Sequence, residues 1–142
     1  MSRLKPISEQ VMVITGASSG IGLTTAKRAA AKGARVLLVA RNQRALEEAV
    51  ADIEGAGGQA AYAVADVGDY DQVRAAAAKA IERFGRIDTW VNNAGVAIYA
   101  KLVDTPQEEH EQLFRTNYFG VVHGSLAAIE HLHDGGAIVT VG

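Results

Sequence analysis

The stretch Val11 to Gly22, VMVITGASSGIG, decides how this chain is read. A near-continuous apolar run ends at Thr15, a Gly-punctuated turn follows, and an Ala-rich helical pattern begins at once. That order describes a strand feeding a tight loop and then a helix. A run apolar on both faces belongs in a parallel sheet covered on both sides. Gly16, Gly20 and Gly22 remove side chains where the backbone must turn, approach an anion and pack helix against strand. The first N–H groups of the helix, with the positive end of its dipole, then face whatever lies beyond the strand. Ser18 and Ser19 add hydroxyl donors. The spacing Gly-x-x-x-Gly-x-Gly differs from the commoner Gly-x-Gly-x-x-Gly, and a glycine turn taken alone also suits an ordinary tight loop.

Outward from this stretch the same alternation repeats. Met1 to Gln10 is a polar lead-in. Helix one spans about Ile21 to Lys32 and stops at Gly33, and strand two covers Ala34 to Ala40. Helix two, about Gln43 to Glu54, carries Leu46, Ala49, Val50 and Ile53 on one face. Strand three follows at Gln59 to Val64. Helix three, Tyr70 to Phe84, shows a stripe of Val73, Ala77, Ala80, Ile81 and Phe84, and Gly85 ends it. Strand four is Ile87 to Asn92, and a loop from Asn93 leads to a long helical region, Gln107 to Leu132, with Thr105 as N-cap and Pro106 in the first turn. Strand five is Ala137 to Val141. Alternating strands and helices predict an α/β fold: a doubly wound parallel sheet with right-handed crossovers and helices on both faces. Residues 1–142 read as one domain, with no repeat or linker.

In such a sheet, ligands bind beyond the carboxyl ends of the strands, near the point where strand order reverses. The unusual residues gather there: Gly16 to Gly22 after strand one, Arg41 after strand two, Asp66 after strand three, and Asn92 to Gly95 after strand four. Arg41 stands where an acidic residue would hold ribose hydroxyls, and its guanidinium suits a phosphate fork; the plain alternative is a solvated Arg opening a helix. Arg44 either assists or is simply exposed. Asp66 and Val67 suit the edge of an adenine ring, the carboxylate accepting from the amino group and a backbone N–H donating to a ring nitrogen. Asp66 equally suits a cap on the approach to helix three. Asn93, Ala94 and Gly95 brace a loop against a ribose, or form an ordinary Asn/Gly turn. Asn117 is out of place in mid-helix, because its amide competes for backbone groups. It shares a face with Gly120 and Gly124 and reads either as a helix-perturbing residue holding a water or as a simple hydrogen-bonding Asn.

Composition narrows the function classes. Apolar residues make up 49% and charged residues 21%, and a net charge of −2 with interspersed signs argues against nucleic-acid binding. There is no cysteine, so disulfides and thiolate metal sites are excluded, and the cytoplasm is the expected compartment. No apolar run reaches the ~18 residues that span a bilayer, so no membrane partner is expected. His131 and His133 lie two apart, which does not bring them to one helix face, and no metal site is expected. Trp90, in a buried strand, reads as core.

Thr15-Gly16-Ala17-Ser18-Ser19-Gly20-Ile21-Gly22, Asp66-Val67, Asn92-Asn93-Ala94-Gly95 and Asn117, in that order and spacing, resemble the classical short-chain dehydrogenase/reductases from Val11 onward. The resemblance implies a Rossmann fold, a nicotinamide cofactor and hydride transfer between it and a small carbonyl or alcohol. It also implies cofactor contacts at Gly16, Ser18, Ser19, Gly20, Ile21, Gly22, Arg41, Asp66, Val67, Asn93, Ala94 and Gly95. Asn117 matches the catalytic asparagine of the family. The pair Ala40-Arg41 resembles members that prefer NADP(H) over NAD(H), whereas Ser19 departs from the basic residue that many of those members carry. A homo-oligomer through the long helix follows by the same analogy.

One part of the pattern is missing. The family uses a serine after strand five and then Tyr-x-x-x-Lys, and none of Tyr62, Tyr70, Tyr99 and Tyr118 has a lysine four residues on. Ser125 lies in mid-helix and is no substitute. The acid that protonates a carbonyl oxygen, and the lysine that lowers its pKa, are therefore absent from these residues. The expectation is the N-terminal, cofactor-binding part of a longer reductase, with the sheet ending at strand five as an open apolar edge. Two rivals are a non-catalytic dinucleotide-binding or scaffold protein and a methyltransferase. The second fits less well, because it calls for an acidic residue near Ala40-Arg41.

Overall fold

Strand β1, Val11–Thr15, is buried along its whole length, and the other elements are placed around it. The structure is a computed structural model that describes residues 3–142; Met1 and Ser2, the start of the polar lead-in, lie outside the described residues. Chain order runs through α1 (Gly20–Ala31), β2 (Arg35–Ala40), α2 (Gln43–Gly55), β3 (Gln59–Val64), α3 (Tyr70–Phe84) and β4 (Thr89–Asn92) to α4 (Gln107–Phe114), α5 (Gly120–His131) and β5 (Ala137–Thr140). Every strand pair is parallel, in the order β3-β2-β1-β4-β5. The expected α/β doubly wound sheet of Rossmann type is therefore what forms. Strand order reverses between β1 and β4, which opens a crevice beyond their carboxyl ends.

Successive side chains of a strand point to opposite faces, and β1 divides accordingly. Val11 and Val13, with Leu37, Val39 and Trp90, meet the Ala-rich stripe of α3 and Ala127 and Ala128 of α5. Met12 and Ile14, with Val36, Leu38 and Val91, meet Ala26, Ala29 and Ala30 of α1 and Leu46, Ala49 and Ile53 of α2. Alanines on the helices bring the backbones close to the branched side chains of the strands. Each large side chain buried this way contributes about 1.5–3 kcal/mol. Trp90 is fully buried, as its strand position implied.

Most element ends fall within one or two residues of the sequence reading, the usual fraying at termini. Three differences are larger in kind. A short 3-10 turn, Ile7–Glu9, lies in the lead-in, and a second, Leu102–Asp104, lies in the loop after β4. Thr105 is not the N-cap of α4: its hydroxyl donates to Lys101 C=O at 2.9 Å to close that second turn, and Pro106 takes the cap position. The long helix is also not uniform. Residues Arg115–Phe119 form a π-helical turn between α4 and α5, with helical dihedrals maintained on both sides. At the far edge of the sheet, Ile138, Val139 and Val141 are 38–46% exposed.

Candidate functional site

The loop after β1 is shaped by what lies across from it. Gly16 has φ +64°, and a Cβ there would come within 2.8 Å of the Ala94 backbone. Thr15 Oγ1, buried at the end of β1, accepts from the N–H groups of Asn93 and Ala94 at 3.1 Å each. Asn93 Nδ2 donates in return to Gly16 C=O at 3.2 Å. The loops after β1 and β4, one on each side of the strand-order reversal, are thereby laced together. Gly22, in the first turn of α1, would drive a side chain into Gly16 C=O and the Asn93 amide. Its missing Cβ is what lets the helix start so close to the strand.

Helix α1 begins without a side-chain cap. Ser19 holds the N-cap position in extended backbone, and its hydroxyl accepts from none of the first-turn N–H groups. The first bond back to the cap is from Leu23 N–H to Ser19 C=O at 3.2 Å, so the N–H groups of Gly20, Ile21 and Gly22 have no acceptor among the described residues. Free N–H groups at the positive end of a helix dipole form a site for an anion.

Beyond β2, Arg41 is exposed and takes part in no ion pair among the described residues. Its neighbour Asn42 caps α2, Oδ1 accepting from Ala45 N–H at 3.1 Å. Arg44 is committed elsewhere, to Glu48 at 3.1 Å, so of the two arginines Arg41 alone is unpaired.

Beyond β3, Asp66 does not cap α3. Asp69 does, with Oδ1 accepting from Gln72 N–H at 3.3 Å. Asp66 Oδ1 instead accepts from Gly68 N–H at 2.9 Å in a local turn, and its own N–H donates to Gln72 Oε1 at 2.9 Å. Val67 N–H has no partner among the described residues, while Val67 C=O lies 2.7 Å from His123 Nδ1.

These four loops enclose a cleft of about 390 Å³ beyond the carboxyl ends of the strands. Its wall includes Gly16, Ser18, Ser19, Arg41, Asp66, Val67, Asn93, Ala94 and Gly95. Gly20, Ile21 and Gly22 stand outside that wall, in the first turn of α1. Asn117 also stands outside it, although its neighbour Thr116 is part of it. The Asn117 amide is paired with Val96: Oδ1 accepts from Val96 N–H and Nδ2 donates to Val96 C=O, both at 2.8 Å. Asn117 sits at the centre of the π-helical turn, where the helix departs from α geometry. Gly120 and Gly124, on the same face, lie against Val67 and Asn92 respectively.

Val96 and Thr116 also line the cleft, and the motif pattern does not single them out. Thr15 opens the glycine motif, but only the fold shows its hydroxyl holding the loop after β4. Among the described residues no three His, Cys, Asp or Glu side chains gather as a metal site, and no helix is long and apolar enough to cross a membrane.

Residues 10–142 match the family model described as short chain dehydrogenase. An uncharacterized oxidoreductase of Bacillus subtilis is 46% identical over 99% of this chain, which corresponds to 40% of that protein. Among solved structures, a short chain dehydrogenase from Burkholderia cenocepacia in complex with NADP superimposes with a TM-score of 0.89 at 35% identity, over 97% of this chain and 57% of its own. An alcohol dehydrogenase from the archaeon Thermococcus sibiricus, complexed with 5-hydroxy-NADP, gives a TM-score of 0.87 at 32% identity, over 92% of this chain and 57% of its own. The chain thus spans about half the length of the relatives it matches.

Proposed function

The chain belongs to the short-chain dehydrogenase family, and from that premise we propose that its cleft binds NADP(H) and forms the cofactor side of an oxidoreductase acting on a small carbonyl or alcohol. The observation that carries this reading is the meeting, at one cleft, of Ser19, the N-cap of a helix that begins without a side-chain cap, and the Arg41 guanidinium, which has no ion pair among the described residues. The first fits a pyrophosphate and the second fits a further phosphate on the adenosine ribose. Asp66 and the free Val67 N–H fit the amino group and a ring nitrogen of adenine. Asn93, Ala94 and Gly95 fit the ribose on the nicotinamide side. When bound, the cofactor supplies or takes up a hydride.

The residues of this chain hold and orient. Ser18, Ser19 and the N–H groups of Gly20 to Gly22 donate hydrogen bonds to phosphate oxygens. Thr15 and Asn93 keep the two central loops at a fixed separation. Asn117 acts through Val96 as a brace for the loop after β4. Hydride transfer, its substrate and a cytoplasmic setting belong to the same proposal for the whole protein. Phe114, Tyr118, Leu126 and Ile129, 46–64% exposed along the long helix, support a homo-oligomer.

Titration calorimetry with NADPH and NADH tests the reading. NADPH binds more tightly by about tenfold or more, and Arg41→Ala removes that preference while leaving NADH affinity unchanged, as expected when one charge-assisted phosphate contact is lost. Equal affinity for the two cofactors would overturn the assignment of Arg41. Binding of S-adenosylmethionine in place of either would overturn the family of reaction. Tight NADPH binding with no carbonyl-dependent oxidation by the intact native gene product would favour a dinucleotide-binding or scaffold protein without catalysis.

A further inference from the structure

The loop Asp66–Gly68 is held from behind by residues that none of the cofactor motifs contains. His123 Nδ1 lies 2.7 Å from Val67 C=O. A carbonyl oxygen only accepts, so Nδ1 carries the proton and His123 donates. That carbonyl belongs to the peptide joining Val67 to Gly68, and the N–H of the same peptide donates to Asp66 Oδ1 at 2.9 Å. A hydrogen-bond chain therefore runs from the imidazole, through one peptide unit, to the Asp66 carboxylate. Such chains strengthen each other's links and fix their members' orientation.

The imidazole is itself held in place. Its ring stacks obliquely with Tyr70 of α3, at 5.3 Å between centroids, and with Phe119 of the π-helical turn at 6.2 Å. Gly120, one turn before His123, leaves room for the Val67 side chain, since a Cβ there would come within 2.6 Å of Val67 Cγ2. The stem of Arg115 covers Gly68. Val67 is thus fixed through its carbonyl and its side chain, while its N–H has no partner among the described residues.

We infer that His123 is a positioning residue for base selection: by fixing the peptide between Val67 and Gly68 it aims the Asp66 carboxylate at the amino group of an adenine. This rests on the proposed reading of the cleft as a dinucleotide site. A carboxylate accepts from the 6-amino group of adenine but repels the 6-keto oxygen of hypoxanthine, so its orientation is legible as a ratio of two affinities.

The experiment compares NADPH with its deamino, hypoxanthine-containing analogue on the wild-type protein, His123→Asn and His123→Leu. Asn places an N–H donor where Nδ1 stands, and Leu places none. The emission of the buried Trp90 checks that each variant is folded. Wild-type protein favours the adenine form by about tenfold; His123→Asn keeps that ratio, and His123→Leu cuts it to about threefold or less, as expected for one lost hydrogen bond. A folded His123→Leu with the wild-type ratio overturns the role of His123 and leaves the dinucleotide reading standing. So does a His123→Asn that loses as much as His123→Leu. Failure of the wild-type protein to bind either dinucleotide overturns both.

Discussion

Asn117 and Val96 are joined by two hydrogen bonds of 2.8 Å, side-chain amide to backbone peptide groups, across 21 residues of sequence. The pairing resembles one rung of a sheet, made by a side chain from inside a helix. It couples the π-helical turn to the loop that follows β4, so that a change in either is felt by the other.

Replacing Asn117 by Leu removes both bonds at a solvent-exposed position, and the expected loss is about 1–2 kcal/mol of stability. Asn117→Asp retains an acceptor for Val96 N–H but sets a carboxylate oxygen against Val96 C=O, so it does not restore the wild-type value. Urea denaturation measures both variants. NADPH affinity falls in both, because the loop Asn93–Val96 is no longer fixed. Unchanged affinity in a destabilised Asn117→Leu would confine this residue to a structural role.

Two glycines with ordinary helical backbone give opposite results when changed to alanine. At Gly22 the new methyl group meets Gly16 C=O and the Asn93 amide, and the crowding costs about 1–3 kcal/mol. At Gly55, the last residue of α2, it meets nothing within 4 Å. The gain in helix propensity there stabilises by up to about 1 kcal/mol. Thermal unfolding separates the two by sign, and only Gly22→Ala also weakens NADPH binding.

Trp90 is the single tryptophan of the chain, and Asn92 Oδ1 accepts from its indole N–H at 2.9 Å in the interior. Asn92→Leu leaves that donor buried without a partner, at a cost of about 1–3 kcal/mol. The emission of Trp90 reports the transition directly, shifting to the red as the protein unfolds. The expected result is a lower denaturation midpoint with the native emission still blue-shifted. A native spectrum already red-shifted would mean that water replaces Asn92 as the partner.

The frame of this molecule was legible because its signals are local. The stripe of α3 between Asp69 and Gly85 fixes both ends of that helix, and β1 announces its burial by having no polar residue before Thr15. The clustering of Gly16, Arg41, Asp66 and Asn93 at one end of the sheet followed from strand polarity alone. What escaped the sequence depends on contacts between distant segments. Asn117 is conspicuous as a mid-helix Asn, but nothing nearby says that Val96 is its partner. Nor does anything say that the helix widens into a π-helical turn at that point. No motif contains His123, and only the fold brings Val67 C=O against it. Asp66 read either as an adenine contact or as a cap on α3, and only the fold shows that Asp69, three residues on, takes the cap.

The opposite end of the sheet supplies the last prediction. Asp88 Oδ2 accepts from Val11 N–H at 2.9 Å, and Oδ1 pairs with Arg86 at 2.7 Å and Lys5 at 3.3 Å. Burial pushes the carboxyl pKa up, but the Val11 N–H, the Arg86 guanidinium and the Lys5 ammonium together outweigh it and hold the pKa below its ordinary value of 3.8. A carboxylate with a lowered folded-state pKa gives up protons more readily when folded than when unfolded. Its contribution to stability is therefore complete above the unfolded value and is lost as pH falls through the folded one. Wild-type protein is thus expected to be more stable than Asp88→Asn at pH 7, with the difference shrinking as the pH drops below 3.8. Urea midpoints for both proteins, taken from pH 7 down to the acid limit of folding, measure that difference. A gap that stays constant through acid would mean that the variant loses only packing and hydrogen-bond geometry at β1, and that the charge of Asp88 contributes nothing to holding the lead-in against the sheet.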